Sequence, residues 1–251
     1  MVASSSYILC STPRSGSTLL CGLLQQAGCG RPDSYFRRQS LADFARDWGM
    51  ACHDTDSIAF STEYLQAVLA HSKGAGRIFG LRIMAETLPE LSDRLRKVFP
   101  GVASARERIE TAFGSCVYVH LFREDKVAQA VSLWKAKTTG LWHLASDGSE
   151  LERTAPNGEP IYDRQAIGAL VREATCQDDA WRTWFIQHTV EPVRLSYESL
   201  SRDPQGSLRM VLAALGLDPA AAKTAVPPTA RLANGESEQW IARYRAETAK
   251  L

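Results

Sequence analysis

Four short apolar runs mark the chain, at residues 7–10, 77–84, 116–122 and 193–196. Nearly continuous apolar runs of this length are typical of strands that are buried on both faces of a parallel sheet. Between the runs, apolar residues recur with the period of an amphipathic helix. Strands that alternate with helices predict an α/β fold, in which a parallel β-sheet is flanked by α-helices.

The helical period also predicts where the helices lie. They are expected at residues 19–27, 41–50, 58–71, 88–98, 105–113, 126–139, 167–185, 204–215 and 236–248. Residues 147–163 are rich in Gly, Pro, Asn and charge, and the stretch 140–163 is predicted to be a mobile loop. After a Pro-Pro break, residues 229–251 are predicted to form a C-terminal tail helix, and residues 1–251 a single domain.

Composition and charge narrow the range of partners. The chain has 251 residues, 45% of them apolar, and a net charge of +1, so no global basic field suggests a nucleic-acid partner. Its six cysteines have no CxxC pair and no metal-ligand spacing, which is typical of reduced thiols in a cytoplasmic protein. We recognise no signal peptide and no apolar run of membrane length, so membrane insertion is not expected.

The turn between the first strand and the first helix has the residues of an anion-binding loop. It reads Pro13-Arg14-Ser15-Gly16-Ser17-Thr18. The free N–H groups of a helix start attract anions, and a glycine lets an anion approach the backbone closely. The hydroxyls and the arginine add donors and a fixed charge. The loop is predicted to bind phosphate or sulfate; the alternative is an ordinary Ser/Gly turn without a ligand.

The same loop is P-loop-like without being the loop of a nucleotide hydrolase or kinase. That motif, GxxxxGK[ST], needs a lysine for the terminal phosphates and a hydroxyl for magnesium. This loop has one glycine and no lysine, and Arg123 follows the third strand, where many P-loop enzymes carry a metal-holding acid. A sulfuryl group carries less charge than a phosphoryl group, so fixed donors and one cation suffice without a metal.

Three segments in order resemble sulfotransferases that use 3′-phosphoadenosine 5′-phosphosulfate (PAPS). The opening loop resembles their 5′-phosphosulfate loop, and residues 123–132 resemble their 3′-phosphate site. Ser196-Tyr197-Glu198-Ser199-Leu200, followed by Asp203-Pro204, resembles a late segment of the family. The bacterial trehalose 2-sulfotransferase-like group is the most similar, and it shares the stretches 30–32 and 139–142.

The resemblance implies roles for individual residues. Ser15, Gly16, Ser17 and Thr18 would hold the 5′-phosphosulfate, and Arg14 would neutralise the charge that builds on the bridging oxygen. Arg123 and Ser132 would clamp the 3′-phosphate. Alternatively, Arg123 could pair with a neighbouring acid, and Ser132 could bond to its own helix backbone. Tyr197-Glu198 is interpreted as structural, tying loops under the site.

The residue expected to act as base on the acceptor hydroxyl differs from that of the similar sulfotransferases. Sugar-sulfating relatives place a glutamate base two residues after the proline of the 30–32 stretch, and this chain has Ser34 there. Asp33 is assigned as the catalytic base in its place, with His143 and His120 as other candidates. Arginines could also line a site for an anionic acceptor, or could simply be solvated: Arg31, Arg37, Arg38 and Arg82.

The sequence therefore predicts a cytoplasmic, metal-independent sulfotransferase that moves a sulfuryl group from PAPS to a hydroxyl of a small carbohydrate or glycolipid. Some members of the group are dimers, so a homodimer is possible. One alternative is a homologue that binds PAPS, or the product 3′-phosphoadenosine 5′-phosphate (PAP), but has lost transfer. The other is a P-loop kinase, which the missing lysine and the missing metal-holding acid disfavour.

Overall fold

Parallel strands form the central sheet of the computed structural model, which describes residues 6–51, 54–73, 78–154, 158–230 and 232–249. The strands are β1 (Ser6–Ser11), β2 (Phe79–Met84), β3 (Cys116–Phe122), β4 (Leu141–Leu144), β5 (Glu150–Arg153) and β6 (Val193–Ser196). The sheet order is β2-β1-β3-β6, and each of its strand pairs is parallel. The predicted α/β fold with a parallel sheet is confirmed, and Arg77, at the start of the second predicted run, lies outside the described residues.

The strand order places two loops side by side. From β1 the chain goes to β2 on one side, then crosses back over β1 to β3 on the other side. Ser11, at the end of β1, is level with Leu121, near the end of β3. Ligands of open α/β sheets bind where the order reverses, outside the carboxyl ends of the strands. The loops after β1 and β3 meet at that position.

Helices cover both faces of the sheet. Their bounds are α1 (Ser17–Gln26), α2 (Leu41–Asp47), α3 (Ile58–Lys73), α4 (Leu88–Val98), α5 (Ala105–Phe113), α6 (Lys126–Thr139), α7 (Arg164–Gln187), α8 (Tyr197–Arg202), α9 (Pro204–Ala214) and α10 (Gly235–Thr248). Short 3-10 turns lie at Arg38–Ser40, Ala85–Thr87 and Pro219–Thr224. Within the described ranges, no helix combines the length and the apolar character needed to cross a bilayer.

Alternate residues of β1 enter two different cores. Tyr7 and Leu9 pack in a cluster with residues of α1 and α9, whereas Ile8 and Cys10 pack in a cluster with residues of α3, α4, α5 and α7. Successive strand residues point to opposite faces, so the unbroken apolar run matches a strand that is covered on both sides. A third cluster joins α6, α7 and α10 and holds α6 beside the carboxyl edge of the sheet.

The segment predicted as a mobile loop contains a β-hairpin. β4 and β5 pair in antiparallel fashion with an irregular register, and Gly148 lies in the turn with φ 85°. Ala145 forms an isolated bridge with Thr229, which ties the hairpin to the segment before α10. The strands have four residues each and no clear alternation, which is why the pattern did not predict them. Residues 155–157 of this stretch lie outside the described residues.

The predicted tail helix is shorter than the stretch 229–251. It begins at Gly235 because Asn234 caps it, accepting a hydrogen bond from the Ser237 N–H at 3.1 Å. Residues 231, 250 and 251 lie outside the described residues.

Candidate functional site

One cleft of about 2050 Å³ opens at the carboxyl ends of β1 and β3. The opening loop and the start of α6 form its floor, and the β4–β5 hairpin forms part of its wall. Of the residues assigned from the sequence to donor binding or as the first choice of base, all except Ser15 line this cleft. The volume is large enough for a nucleotide and a second small molecule together.

The opening loop holds a conformation that glycine makes possible. Gly16 is the N-cap of α1 with φ 90°, and as a glycine it offers no side-chain cap to the first-turn N–H groups. A Cβ at this position would lie 2.7 Å from Cδ2 of Tyr197. Arg14 is also in the left-handed region, at φ 63°, which is uncommon for a residue other than glycine. Gly16 is therefore favoured both by its left-handed backbone and by the close packing of Tyr197 against the loop.

The hydroxyls of the two loop serines are expected from the sequence to donate to an anion, but both side chains are buried. The Ser15 hydroxyl donates to the Thr12 carbonyl at 2.7 Å, and the Ser15 N–H donates to the same carbonyl at 3.3 Å. Ser15 is fully buried, so both of its donors serve the turn itself. Ser17 begins α1 and is also buried, although it lines the cleft. The backbone and Thr18 therefore present more to the cleft than the serine hydroxyls do.

Arg14 joins the two predicted anion sites. Its Nε donates to Ser132 Oγ at 2.9 Å, and its Nη1 donates to the Trp142 carbonyl at 2.5 Å. Arg123 Nη1 in turn donates to the Arg14 carbonyl at 3.3 Å. Burial, followed by the charge of Arg123, lowers the pKa of Arg14 to about 10, so it stays protonated at neutral pH. The two sites form one continuous cationic region.

Arg123 is held from below by an aromatic ring. Its guanidinium lies 4.4 Å from the ring centroid of Tyr197, a cation–π distance. Glu198 accepts hydrogen bonds from the N–H groups of Glu124 and Asp125, at 3.1 and 3.3 Å. These contacts tie α8 to the loop after β3, as the sequence interpretation expects, and Tyr197 and Glu198 also line the cleft. Asp125 itself caps α6 and pairs with Arg245 at 2.7 Å.

The other side of the cleft carries Arg82 at the centre of a polar group. Arg82 Nη2 donates to Asp33 Oδ1 at 2.8 Å, Nε donates to Ser34 Oγ at 2.9 Å, and Nη1 donates to Thr18 Oγ1 at 3.1 Å. Asp33 Oδ1 also accepts from the Ser34 N–H at 2.7 Å. Asp33 and Ser34 therefore both serve to hold Arg82 beside the opening loop.

The two candidate histidines lie in different surroundings. His143 lines the cleft, with Nε2 3.1 Å from Thr18 Oγ1 and 3.5 Å from Glu152 Oε2. Burial, and then the charges of Arg14 and Arg82, lower the pKa of His143 to about 4. His120 is fully buried under α7 and pairs with Asp178 at 3.0 Å, outside the cleft. Only His143 is placed to meet a ligand.

Two features of the site carry no signal that the sequence pattern could reveal. The Trp142 group that binds Arg14 is a backbone carbonyl, which every residue possesses. Gln129 donates through Nε2 to Thr12 Oγ1 and to the Pro13 carbonyl, at 2.9 and 2.7 Å, and so braces the opening loop from α6.

Of the four arginines considered for an anionic acceptor, Arg37 and Arg82 line the cleft.

A family model for the Stf0 sulphotransferases matches residues 6–247. This chain belongs to the Stf0 sulphotransferase family. The predicted membership of the sulfotransferases is therefore confirmed, and the protein is an enzyme that transfers sulfuryl groups. Within the described part of this Stf0 sulphotransferase, no cluster of three or more His, Cys, Asp or Glu is arranged to hold a metal ion.

Named relatives resemble the chain over nearly its whole length. The trehalose 2-sulfotransferase of Mycobacterium tuberculosis (strain Erdman) is 31% identical, over 98% of this chain and 96% of the relative. That of Mycolicibacterium smegmatis is 29% identical, over 97% and 96%. A solved sulfotransferase domain from the Synechococcus PCC 7002 olefin synthase aligns with a TM-score of 0.43 and 15% identity, over 97% of this chain and 95% of that domain.

Proposed function

We propose that this Stf0 sulphotransferase transfers a sulfuryl group from PAPS to a hydroxyl of a carbohydrate or glycolipid. The observation that carries the proposal is the contact of Arg14 with both Ser132 and Arg123 at the carboxyl ends of β1 and β3. PAPS has two anionic ends, and this region offers two arginines and a helix start to hold them.

The donor groups divide into two sets. The N–H groups at the start of α1, over residues 16–18, would hold the 5′-phosphosulfate, and Arg14 would stabilise the charge that develops on the bridging oxygen. Arg123 and Ser132 would hold the 3′-phosphate. The α6 start carries its own acidic cap, Asp125, so this second set depends on side chains instead of helix N–H groups.

Two observations support a sugar acceptor. The cleft continues past the donor groups to Asp33, Arg82 and His143, which are polar groups that can bind hydroxyls. The two named relatives are trehalose 2-sulfotransferases. A base is needed to take the proton of the acceptor hydroxyl, and Asp33 and His143, which both line the cleft, are the candidates that we propose for that role.

The donor assignment is tested by calorimetry with PAP, with and without EDTA and magnesium. We expect micromolar binding that EDTA does not change. Arg14→Ala and Arg123→Ala should each weaken binding or transfer by about 2–4 kcal/mol. Arg96→Ala is the matched control, since Arg96 lies on α4 and pairs with Asp93 at the surface. Absence of PAP binding, or binding that requires magnesium, would contradict the donor assignment.

The acceptor assignment is tested by transfer of labelled sulfate to a panel of sugars, including trehalose, and glycolipids. We expect a labelled sugar or glycolipid product in the presence of PAPS. Tight PAP binding without transfer to any member of the panel would contradict the acceptor assignment and leave the donor site intact.

A further inference from the structure

A continuous chain of polar contacts crosses the acceptor side of the cleft. It runs from Asp33 to Arg82, on to Thr18 and then to His143, over contacts of 2.8, 3.1 and 3.1 Å. His143 is followed by Glu152, 3.5 Å away on the neighbouring strand. Ser34 stands at the position where the resemblance implies a glutamate base, and it belongs to the same group of contacts. Its hydroxyl accepts from Arg82 Nε and cannot take a proton as a carboxylate does.

The two ends of this chain are not equivalent as proton acceptors. Asp33 Oδ1 is already bound by Arg82 Nη2 and by the Ser34 N–H, and the carboxylate balances a guanidinium. His143 has a different set of neighbours: the cations Arg14 and Arg82 disfavour its protonated form, and Glu152 is the one acid in contact with it among the described residues. Its imidazole is therefore neutral at neutral pH and has one unprotonated nitrogen.

The hydrogen bonds around Thr18 fit Nε2 as that nitrogen. An arginine only donates, so Thr18 Oγ1 accepts from Arg82 Nη1. In the tautomer whose Nε2 is unprotonated, the hydroxyl proton of Thr18 points at His143 Nε2, which then accepts it. Nε2 faces the cleft next to the first turn of α1, where the proposed function places the sulfuryl group. An acceptor hydroxyl that replaces Thr18 as the partner of Nε2 would meet a free lone pair.

We propose that His143 Nε2 is the general base of this enzyme, in place of the glutamate that Ser34 has replaced. The proposal rests on the proposed function. The acceptor oxygen forms the new S–O bond, the bond from sulfur to the bridging oxygen of PAPS breaks, and PAP leaves with that electron pair. The proton of the acceptor hydroxyl goes to Nε2, and His143 leaves the step as imidazolium beside Glu152. Asp33 positions Arg82.

Three variants separate the possible bases. His143→Gln keeps a polar side chain of similar length but removes the imidazole. Asp33→Asn removes the carboxylate of the second candidate base. His188→Gln is the control, because it makes the same change at the end of α7, outside the cleft. We expect His143→Gln to lower kcat by about 100-fold or more, and Asp33→Asn by less than about tenfold. All three variants should bind PAP with wild-type affinity, and this measurement serves as the control for folding.

Two further readouts report on proton transfer itself. Wild-type kcat should stay nearly constant from neutral pH down to about pH 5 and should decline around pH 4, because His143 in the folded enzyme titrates at its lowered pKa of about 4. Asp33→Asn should keep this acid limb, and His143→Gln should lose it. His143→Ala should regain activity when free imidazole is added, because the cleft is open to small molecules.

The outcomes distinguish the two proposals. Loss of PAP binding in the wild type would refute the proposed function itself. A wild type that binds PAP and transfers sulfate, with His143→Gln retaining kcat or its acid limb, would refute the role of His143 alone. A large loss in Asp33→Asn together with a normal His143→Gln would assign the base to Asp33 and overturn the inference.

Discussion

Gly16 offers a direct test of how the opening loop is held. Its φ of 90° lies in the left-handed region, and a Cβ there would approach Tyr197 Cδ2 to 2.7 Å and Leu200 Cδ2 to 3.4 Å. Gly16→Ala should therefore have two costs, one from the backbone conformation and one from the contact with the Tyr197 ring. Gly49 separates them, because it has φ 72° and no described residue other than its chain neighbours has an atom within 4 Å of its Cβ position.

The two costs can be estimated separately. An alanine in the left-handed region costs about 1–2 kcal/mol, and Gly49→Ala should show that cost alone. Insertion of a methyl group into a packed site adds about 1–3 kcal/mol. Gly16→Ala should thus lower the free energy of unfolding by about 2–5 kcal/mol in total. The difference between the two variants measures the contact with α8.

Urea unfolding of the two variants, followed by calorimetry with PAP, provides the measurement. The Tyr197 ring also lies under Arg123, so a displaced ring should weaken PAP binding in Gly16→Ala and leave it unchanged in Gly49→Ala. Equal destabilisation of the two variants, with equal PAP affinity, would show that the loop moves away from Tyr197 at no cost. Such a result would contradict a fixed position of the opening loop against α8.

Two further predictions concern stability. The pKa of His143 is lowered from 6.5 to about 4, so the unfolded chain binds the proton first and the protein should lose stability as the pH falls from 6.5 towards 4. The lowered pKa corresponds to about 3 kcal/mol of unfolding free energy. Urea unfolding should therefore show the wild type losing about that much stability relative to His143→Gln as the pH falls over that range. A difference in unfolding free energy that does not change with pH would contradict the lowered pKa of His143. Asp178 is buried and binds His120, Lys126 and Arg182, at 3.0, 3.1 and 3.2 Å. Asp178→Ala should cost about 3–5 kcal/mol because it leaves buried polar partners uncompensated, whereas Asp179→Ala, one residue along on the exposed side, should cost less than about 1 kcal/mol. Equal costs for the two would show that the buried network is not coupled.

Local pattern was sufficient for the strands of the sheet and for the position of the opening loop between β1 and α1. A strand buried on both faces must be apolar throughout, so the runs that became β1, β2, β3 and β6 are legible without a structure. The opening loop could be predicted for a similar reason, since a glycine and an arginine between a strand and a helix are typical of a turn that binds an anion. Its charge and its place at the sheet edge follow from sequence neighbours alone.

Tertiary structure decided which of these groups meet. Arg14 and Ser132 are 118 residues apart in sequence, and they touch because β1 and β3 are adjacent in the sheet. The hairpin around His143 has strands too short to show a period, and its place over the loop depends on packing against neighbouring segments. Asp33 is one residue from the position that the resemblance marks, yet its contact with Arg82 depends on the docking of β2 against β1. A sequence records which donors and acceptors a chain carries; their pairing depends on distances that only the folded backbone sets.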